Sequence, residues 1–546
     1  MRTSLRHQVA RLFQEARRRL EILEGRSFRS EAYRKATETI LGLESDEILT
    51  HPEQYRSLRG IGSALARKIE EIIQDGTFDA LERLRSEVPD GVLDLLNVRG
   101  LGPSAVRQLW QELGVTSLEE LLKECEGDRL PLLKGWTERR VHQVCEAARW
   151  YATQHRFRLY SDVASEAETL LHLLRDAYIA DHVELTGEYR RRMPLLQDLD
   201  ILFVTSDRQG VLEYLSGCQF FEGEEPPFQT VSGLSVNCHF TDAHNGGPAL
   251  IETTGSAAFR EMLPSRLPVG SSEEEVFRKM GWPCVVPEMR EGCYSPEFLR
   301  QFPYERLVTV SDIQGLVHVH TTWSDGIHSL EEIVEAAHRK GFEYIAICDH
   351  SQSSRVARGL GPQRFRKQWE AIERVQIQFP DIRILRGVEV DILSNGTLDL
   401  PDDLLTEFDV VVASIHQPLD IDEDTATQRL LSAIHSGQIH ILGHPTGRLL
   451  TRRPGYPIRF DEIFEAAAQQ RVAIEINANP YRLDLDWQLV HQAVEAGCYF
   501  SIDPDAHSID DFDYIRYGVY VARKGALLKD RVLNTRSVEE FLAFWQ

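Results

Sequence analysis

Only eight of the 546 residues are cysteine, and no two of them form a C-x-x-C pair. This gives no ground for a disulfide framework or a thiolate zinc site. No apolar run reaches the length of a membrane span, so no membrane partner is expected. The opening stretch, MRTSLRHQVARLFQEARRRLEIL, lacks the uninterrupted apolar centre of a secretory signal. The spacing of Leu5, Val9, Leu12, Ala16, Leu20 and Leu23 predicts an amphipathic helix instead, and a cytoplasmic address. Low-complexity segments are missing as well. Positive charge is scarce: 61 Lys and Arg stand against 85 Asp and Glu, a net −24 that argues against a general nucleic-acid coat. The deficit is uneven. Residues 1–100 hold 17 basic and 17 acidic side chains, whereas residues 301–546 hold 24 and 37. Any grip on DNA is therefore expected near the N-terminus, and bound cations would offset part of the C-terminal excess.

That C-terminal region is organised around GLVHVHTTWSDG, residues 315–326. His318 and His320 alternate, so on a strand both imidazoles face one way, and Asp325 follows on the next loop. Seven apolar, β-branched runs start near Leu316, Tyr344, Arg383, Val410, Ile441, Ala473 and Tyr499, with helical stretches between them. Strand and helix in alternation predict a parallel sheet, here a distorted seven-stranded (β/α) barrel. His350, Glu389, His416, His444, Asp505 and His507 each lie at or just past the C-terminal end of such a run. Sites on α/β barrels gather at that end. Nine imidazole and carboxylate donors without a thiolate suit manganese, zinc or iron, and nine fit two or three ions rather than one. A barrel beginning near Val310 would contain every donor and all seven strands, and is expected to keep its metals when cut free.

The wording HVHTTWSDG, CDHS, GVEVDIL, ASIH, GHPTGRLL, EINANPYRLDLDW and DAHS resembles the PHP (polymerase and histidinol phosphatase) domain of bacterial family X DNA polymerases over nearly all of residues 315–524. The resemblance implies one metal on His318, His320, Glu389 and Asp505. A second would sit on Asp325, His350 and His507, and a third on His416 and His444 with Glu389 bridging. Leu316 stands where that family usually has an Asp, so one contact around the first ligand is expected to be missing. Glu475 reads as a supporting residue, and Arg355, Arg358 and Arg448 as candidate phosphate clamps, because a guanidinium fork matches phosphate.

Earlier in the chain, LRGIGSALARKIEEII and VRGLGPSAVRQLWQEL each place a Gly-x-Gly turn before a helix: Gly60 and Gly62, then Gly100 and Gly102. Such turns leave helix N-terminal amides facing a phosphate, the helix-hairpin-helix way of holding DNA backbone without reading bases. LLKGWTERRV would be a third hairpin, with Thr137 in place of the second glycine. With FRSEAYRKA, these segments resemble the N-terminal domain of family X polymerases. Lys68 falls where lyase-active members carry a Schiff-base lysine. Nothing local in the sequence depresses its pKa, so it reads as a phosphate-facing or surface lysine.

Residues 158–300 resemble the nucleotidyltransferase palm of that family. LTGEYRRRMPLLQDLDILFV carries Asp198 and Asp200, spaced to hold Mg²⁺ together on one strand face. Glu188 replaces the serine that meets the nucleotide, Asn237 stands at the third carboxylate, and the thumb is short. The expected organisation is multidomain: an all-α helix-hairpin-helix domain (1–155), an α+β palm-like domain with a truncated thumb (156–303) and the barrel (304–546). The expected function is metal-dependent phosphoester hydrolysis at DNA ends, with a degenerate polymerase module. An active gap-filling polymerase and a small-molecule phosphatase are the alternatives.

Overall fold

Val9, Leu12, Phe13, Ala16 and Leu20 recur every three to four residues and are all buried on one face of the first helix, α1 (Leu5–Glu24). That stripe packs against α2 (Phe28–Leu41), whose start is fixed by a Ser27/Ser30 capping box. The structure, a computed structural model, describes residues 5–43, 47–154, 156–218, 220–222, 228–230 and 233–546. They divide into two compact units, one of residues 1–156 with 451–453 and the other of residues 157–450 with 454–546.

Every regular element within residues 5–154 is a helix. The first unit has two apolar cores, one within residues 9–84 and one formed mainly by residues 88–151. Gly60 (φ 94) and Gly100 (φ 88) turn the chain into α3 (Ser63–Asp75) and α4 (Pro103–Leu113). Both helices start at a glycine, so no N-cap side chain takes their first amides. Gly135 (φ 83) repeats the turn in LLKGWTERRV, and there Thr137 Oγ1 accepts from the Arg140 amide, 3.3 Å away. Two later helices, α5 (Leu118–Glu126) and α6 (Glu138–Gln154), are joined by a Cys125–Cys145 disulfide. The expectation that the cysteines form no disulfide is corrected here: the two residues are 20 apart in sequence, but helix packing brings their Cα atoms to 5.5 Å.

The second unit holds two large sheets, besides a two-stranded pairing of residues 158–159 with 195–196. Its five-stranded sheet has the order β1 (His182–Leu185), β2 (Asp198–Val204), β5 (Ser235–Thr241), β4 (Phe228–Thr230), β3 (Phe221–Glu222), with β2 and β5 parallel and the other pairs antiparallel. The register sets Asp200 opposite Asn237. Seven parallel strands then follow in chain order: β6 (Gly315–Val319), β7 (Tyr344–Ile347), β8 (Arg383–Asp391), β9 (Val410–Ser414), β10 (Ile441–Leu442), β11 (Ala473–Asn477) and β12 (Phe500–Asp503). Each is buried along most of its length, which explains why they read as continuous apolar runs. First and last edges meet where the His320 amide donates to Ala506 O (2.8 Å) and the Ala506 amide to His318 O (3.1 Å), nearly closing a barrel.

One apolar cluster runs without a break from Tyr160 and Val163 through Val236 to Leu316 and the barrel strands. The join is also polar. Helix α8 (Ile515–Lys524), packed on β11 and β12, ends in the fully buried Lys524. Lys524 Nζ donates to Arg191 O (3.0 Å), to Glu288 O (3.3 Å) and to the Glu291 carboxylate, while Tyr294 Oη donates to Lys524 O (2.8 Å). Beside it, Arg190 grips Glu273 with two bonds (2.8 and 2.6 Å), and the buried Arg290 pairs with the same carboxylate.

Cutting the chain at Val310 strips Lys524 of all three partners and leaves a buried cation uncompensated. A fragment starting at Val310 should melt roughly 10 °C or more below one starting at Phe157, or aggregate. Equal melting temperatures would show that the barrel stands alone. A second outcome follows from Glu273. Burial raises its pKa, but the two guanidinium partners override this and hold it at about 2, below the ordinary 4.5. A depressed folded pKa contributes stability above pH 4.5, lost as pH falls toward 2, on the order of 3 kcal/mol. Urea unfolding of the full chain should weaken over that window, and Glu273→Gln should both destabilise it and flatten the acid limb. An unchanged acid limb in the variant would remove Glu273 as its source.

Candidate metal centre

Glu389, at the end of β8, is the centre of the rim. Its Oε1 lies 3.2 Å from His416 Nε2 and 3.0 Å from His444 Nε2. Its Oε2 lies 2.8 Å from His350 Nδ1, 3.4 Å from His318 Nε2 and 3.8 Å from His320 Nε2. One carboxylate thus divides five imidazoles between its two oxygens. Asp505 adds His320 Nε2 at 3.3 Å and His318 Nε2 at 3.7 Å. Asp325 reaches His507 Nε2 at 3.4 Å, His350 Nε2 at 3.6 Å and His320 Nδ1 at 3.9 Å.

Three donor sets have ligand atoms within 4.8 Å of one another: His320, Asp325, His350 and His507; His318, His320 and Asp505; His350, Glu389 and His416. All nine residues singled out in the sequence converge here, but the sets overlap differently from those the resemblance implies. His320 faces two sets, and His350 joins both the Asp325 set and the Glu389 set. His318 Nε2, both ring nitrogens of His320, Glu389 Oε2 and His444 Nδ1 are buried and make no hydrogen bond. Buried polar atoms left this way are costly, and lone-pair donors of this chemistry fit divalent cations.

The backbone achieves the convergence by an unexpected route. His318 and His320 do not simply alternate on a strand. The β6–β7 register shifts between Leu316 and Val319, and His318 has φ 60. His444 (φ 23) and Asp505 (φ 50) are also in the left-handed region, which non-glycine residues enter at a cost. Three of the nine donors are therefore held in backbone that the surrounding packing must impose.

A set of residues behind the donors aims them. Glu475 Oε1 is 2.5 Å from His318 Nδ1, and Oε2 accepts from the His444 amide (2.6 Å) and Asn477 Nδ2 (3.1 Å). Asp391 Oδ1 is 2.7 Å from His416 Nδ1. Asp349 receives the amides of Thr321 and Ser324, both their hydroxyls and Gln368, and so fixes the loop carrying Asp325. Leu316 packs in the apolar core. Sequence reading found Glu475 but missed Asp391 and Asp349, although GVEVDIL and CDHS contain them.

Electrostatics separate the donors. Burial disfavours charge on every imidazole, yet the carboxylates win at most: His318 and His350 are raised well above 6.5, and His416 and His507 to about 9. At His320 burial wins, reinforced by His507 and His350, and holds it at about 3. Burial likewise opposes ionisation of Glu389 and Asp505, but the surrounding imidazoles press both well below the carboxylate range.

The arginines divide. Arg448 donates to Arg482 O (2.9 Å), to Leu483 O and to the Asp486 carboxylate, so it ties down a loop and is withdrawn from a clamp role. Arg355 and Arg358 are exposed on the loop after His350. Arg482, which sequence reading passed over within EINANPYRLDLDW, places Nε 3.2 Å from Asp505 Oδ2, and its Nη1 is buried without a hydrogen-bond partner.

In the five-stranded sheet, Asn237 Nδ2 donates to Asp198 Oδ2 (3.0 Å) and Asp200 Oδ1 (3.3 Å), and His239 Nε2 is 2.8 Å from Asp200. Glu188 accepts from the Gln197 amide and lines the same cavity, about 520 Å³, with Asp198, Asp200, Arg191 and Arg260. Burial and then the two aspartates raise Glu188; burial and then Asp200 raise Asp198. Gly187 (φ 57) is strained for any side chain, and a Cβ there would sit 2.0 Å from Asp200 Oδ2 and force that carboxylate aside. In the first unit, Lys68 is half-buried over the Tyr33 ring, 5.2 Å from its centroid. Burial and then Arg67 lower its pKa, a depression the sequence alone did not reveal.

Three segments match family models: a PHP domain at residues 317–479, a helix-hairpin-helix domain at 5–78 and a SAM-like helix-hairpin-helix tandem at 92–149. The "DNA polymerase/3'-5' exonuclease PolX" of Bacillus subtilis (strain 168) is 34% identical, with 98% of each chain covered. The chain therefore belongs to the family X DNA polymerases that carry a C-terminal PHP domain.

Proposed function

We propose that the barrel rim hydrolyses phosphodiesters of DNA from the 3′ end and that the polymerase module has lost most or all of its activity. The division of five imidazoles between the two oxygens of Glu389 carries the first part. The B. subtilis relative, named as a 3′-5′ exonuclease, supports it. His318, His320, Glu389 and Asp505, with Asp325, His350 and His507 and with His416 and His444, would hold two or three divalent ions. When bound, such ions acidify an attacking water and offset charge on the phosphate. The chain's own part is positioning. Glu475 and Asp391 hold His318 and His416 in orientation, and Arg482, beside Asp505 and with Nη1 without a hydrogen bond, is the donor offered to a phosphate oxygen. The hairpin amides after Gly62 and Gly102 hold DNA backbone without base contacts, and the rim supplies the reaction.

For polymerisation, the observation that counts is Asn237. Its amide N–H bonds lie on the oxygens of Asp198 and Asp200 that a cation would use. Glu188 adds an anion where a nucleotide would bring its own. An active polymerase stays as the second reading because the relative is also named a DNA polymerase.

Release of nucleotides from a 3′ end should require a divalent metal, with Mn²⁺ better than Mg²⁺ because imidazole donors predominate. A His320→Ala, Glu389→Ala double variant should lose at least ~100-fold of the rate. Arg482→Gln should lose roughly 10- to 100-fold with metal content unchanged, as measured by elemental analysis. Wild-type rates in the double variant would move the reaction elsewhere. Brisk monoester hydrolysis without DNA cleavage would make the rim a small-molecule phosphatase.

Primer extension by the full chain should be undetectable or residual with Mg²⁺, and Glu188→Ser with Asn237→Asp should raise it. Robust extension by the natural chain, abolished by Asp198→Ala with Asp200→Ala, would overturn the loss of polymerase activity.

A further inference from the structure

We propose that the barrel carries a second anion site, at the end opposite the metal donors, built to take the phosphate group of a small molecule. Helix α7 (Phe460–Gln470) ends at Arg471, whose φ of 57 turns the chain toward β11. Tyr499 immediately precedes β12. Both strands run from this end to the rim, where Asn477 and Asp505 lie. A cavity of about 360 Å³ is lined here by Arg471, Arg536, Tyr499 and Phe544, with Ala467, Ala468 and Val472 behind them. Its volume is in the range of small-ligand pockets.

The arginines are pre-arranged on aromatic faces. Arg471 stands 4.8 Å from the Phe544 centroid. Arg531 and Arg536 stand 4.9 and 5.3 Å from that of Tyr499, and Arg536 is 5.7 Å from Phe544. The two rings are 4.8 Å apart. A guanidinium stacked on a ring keeps its N–H edge free to donate in its own plane. Part of those edges is used: Arg531 Nη1 donates to Gly497 O and Arg536 Nη2 to Asp530 O, both at 3.2 Å.

Among the described residues none of the three arginines has a carboxylate partner within ion-pair distance. The nearby Asp530 carboxylate is taken by Arg306, 3.0 Å away. In a region with 24 basic against 37 acidic residues, two guanidinium groups without a carboxylate lining one cavity, with a third, Arg531, on the Tyr499 ring beside it, are not what scattered surface charge produces. The fork geometry matches phosphate. What the cavity offers a ligand is guanidinium N–H, so the phosphate rather than a base is the recognised group. Inorganic phosphate and a nucleoside monophosphate both carry it.

The test is calorimetric titration of the metal-loaded full chain with inorganic phosphate and, separately, with deoxyadenosine monophosphate. The rim also attracts phosphate, so the comparison is made in the His320→Ala, Glu389→Ala background. One binding event should persist there for at least one of the two ligands. Adding Arg471→Gln and Arg536→Gln should weaken it tenfold or more. Should that pair lower the melting temperature, Arg536→Lys, which keeps charge but loses the fork, should still weaken it at least threefold. Tighter binding of the nucleotide would name nucleotides as the ligand; equal or tighter binding of inorganic phosphate would name the free ion. No binding event in the rim-deficient background, or one unchanged by the arginine substitutions, would overturn the site.

Discussion

The ionised carboxylate of Glu389 is the constraint on which the barrel rim depends. It is 1% exposed, and an anion that deep is tolerable only when surrounded by donors or cations. Five imidazoles supply the surroundings, one each from or just after β6, β7, β9 and β10 and one more from the β6 loop. Those rings can approach only because His318 and His444 accept left-handed backbone and β6 shifts register. The strain is held in place by Glu475, which binds a ring nitrogen of one and the amide of the other. Removing Glu475 would therefore disturb two donors through one contact each, without touching any reacting group.

The module built on the five-stranded sheet has a structural role apart from any chemistry of its own. Its Glu273 knot holds the Gly187–Arg190 turn to the 285–291 segment, and that segment supplies the partners of Lys524 at the end of α8. Helix α8 presses on β11 and β12 through Gly518, where a Cβ would come within 2.6 Å of Ile502 and 2.7 Å of Ala478. The same strands lead to Asn477, Asp505 and His507. None of these contacts depends on nucleotide chemistry, and loss of the scaffold would unpack the helix beneath the donors.

Legibility in the sequence followed the range of the interactions. Most of the donors were readable because they end apolar runs, a local pattern that burial on both faces imposes. The hairpins were readable because left-handed turns at Gly60 and Gly100 require glycine. What escaped depends on contacts between distant segments. The Cys125–Cys145 pairing needs two helices to pack. Arg448 looked like a clamp because it neighbours a ligand loop, yet Asp486 and two carbonyls claim it. Arg482 looked ordinary because nothing near it in sequence shows that Asp505 folds back beside it. The shared core of the two sheets was hidden for the same reason, since alternation of strands and helices marks each sheet but not what lies between them.

The two acidic centres of the second unit show why carboxylate count alone does not define a metal site. At the rim, carboxylates meet imidazole nitrogens, which are neutral lone-pair donors once deprotonated and add ligands without adding repulsion. In the other cavity three carboxyl groups, Glu188, Asp198 and Asp200, share a partly buried space, where burial first and mutual repulsion second raise the pKa of Glu188 and Asp198. Asn237 relieves that repulsion by donating N–H bonds to two of them. An amide used in this way satisfies the same lone pairs that an ion would need. It stabilises the folded cavity by an interaction that competes with metal, so a single residue couples the packing of this cavity to its readiness to take an ion.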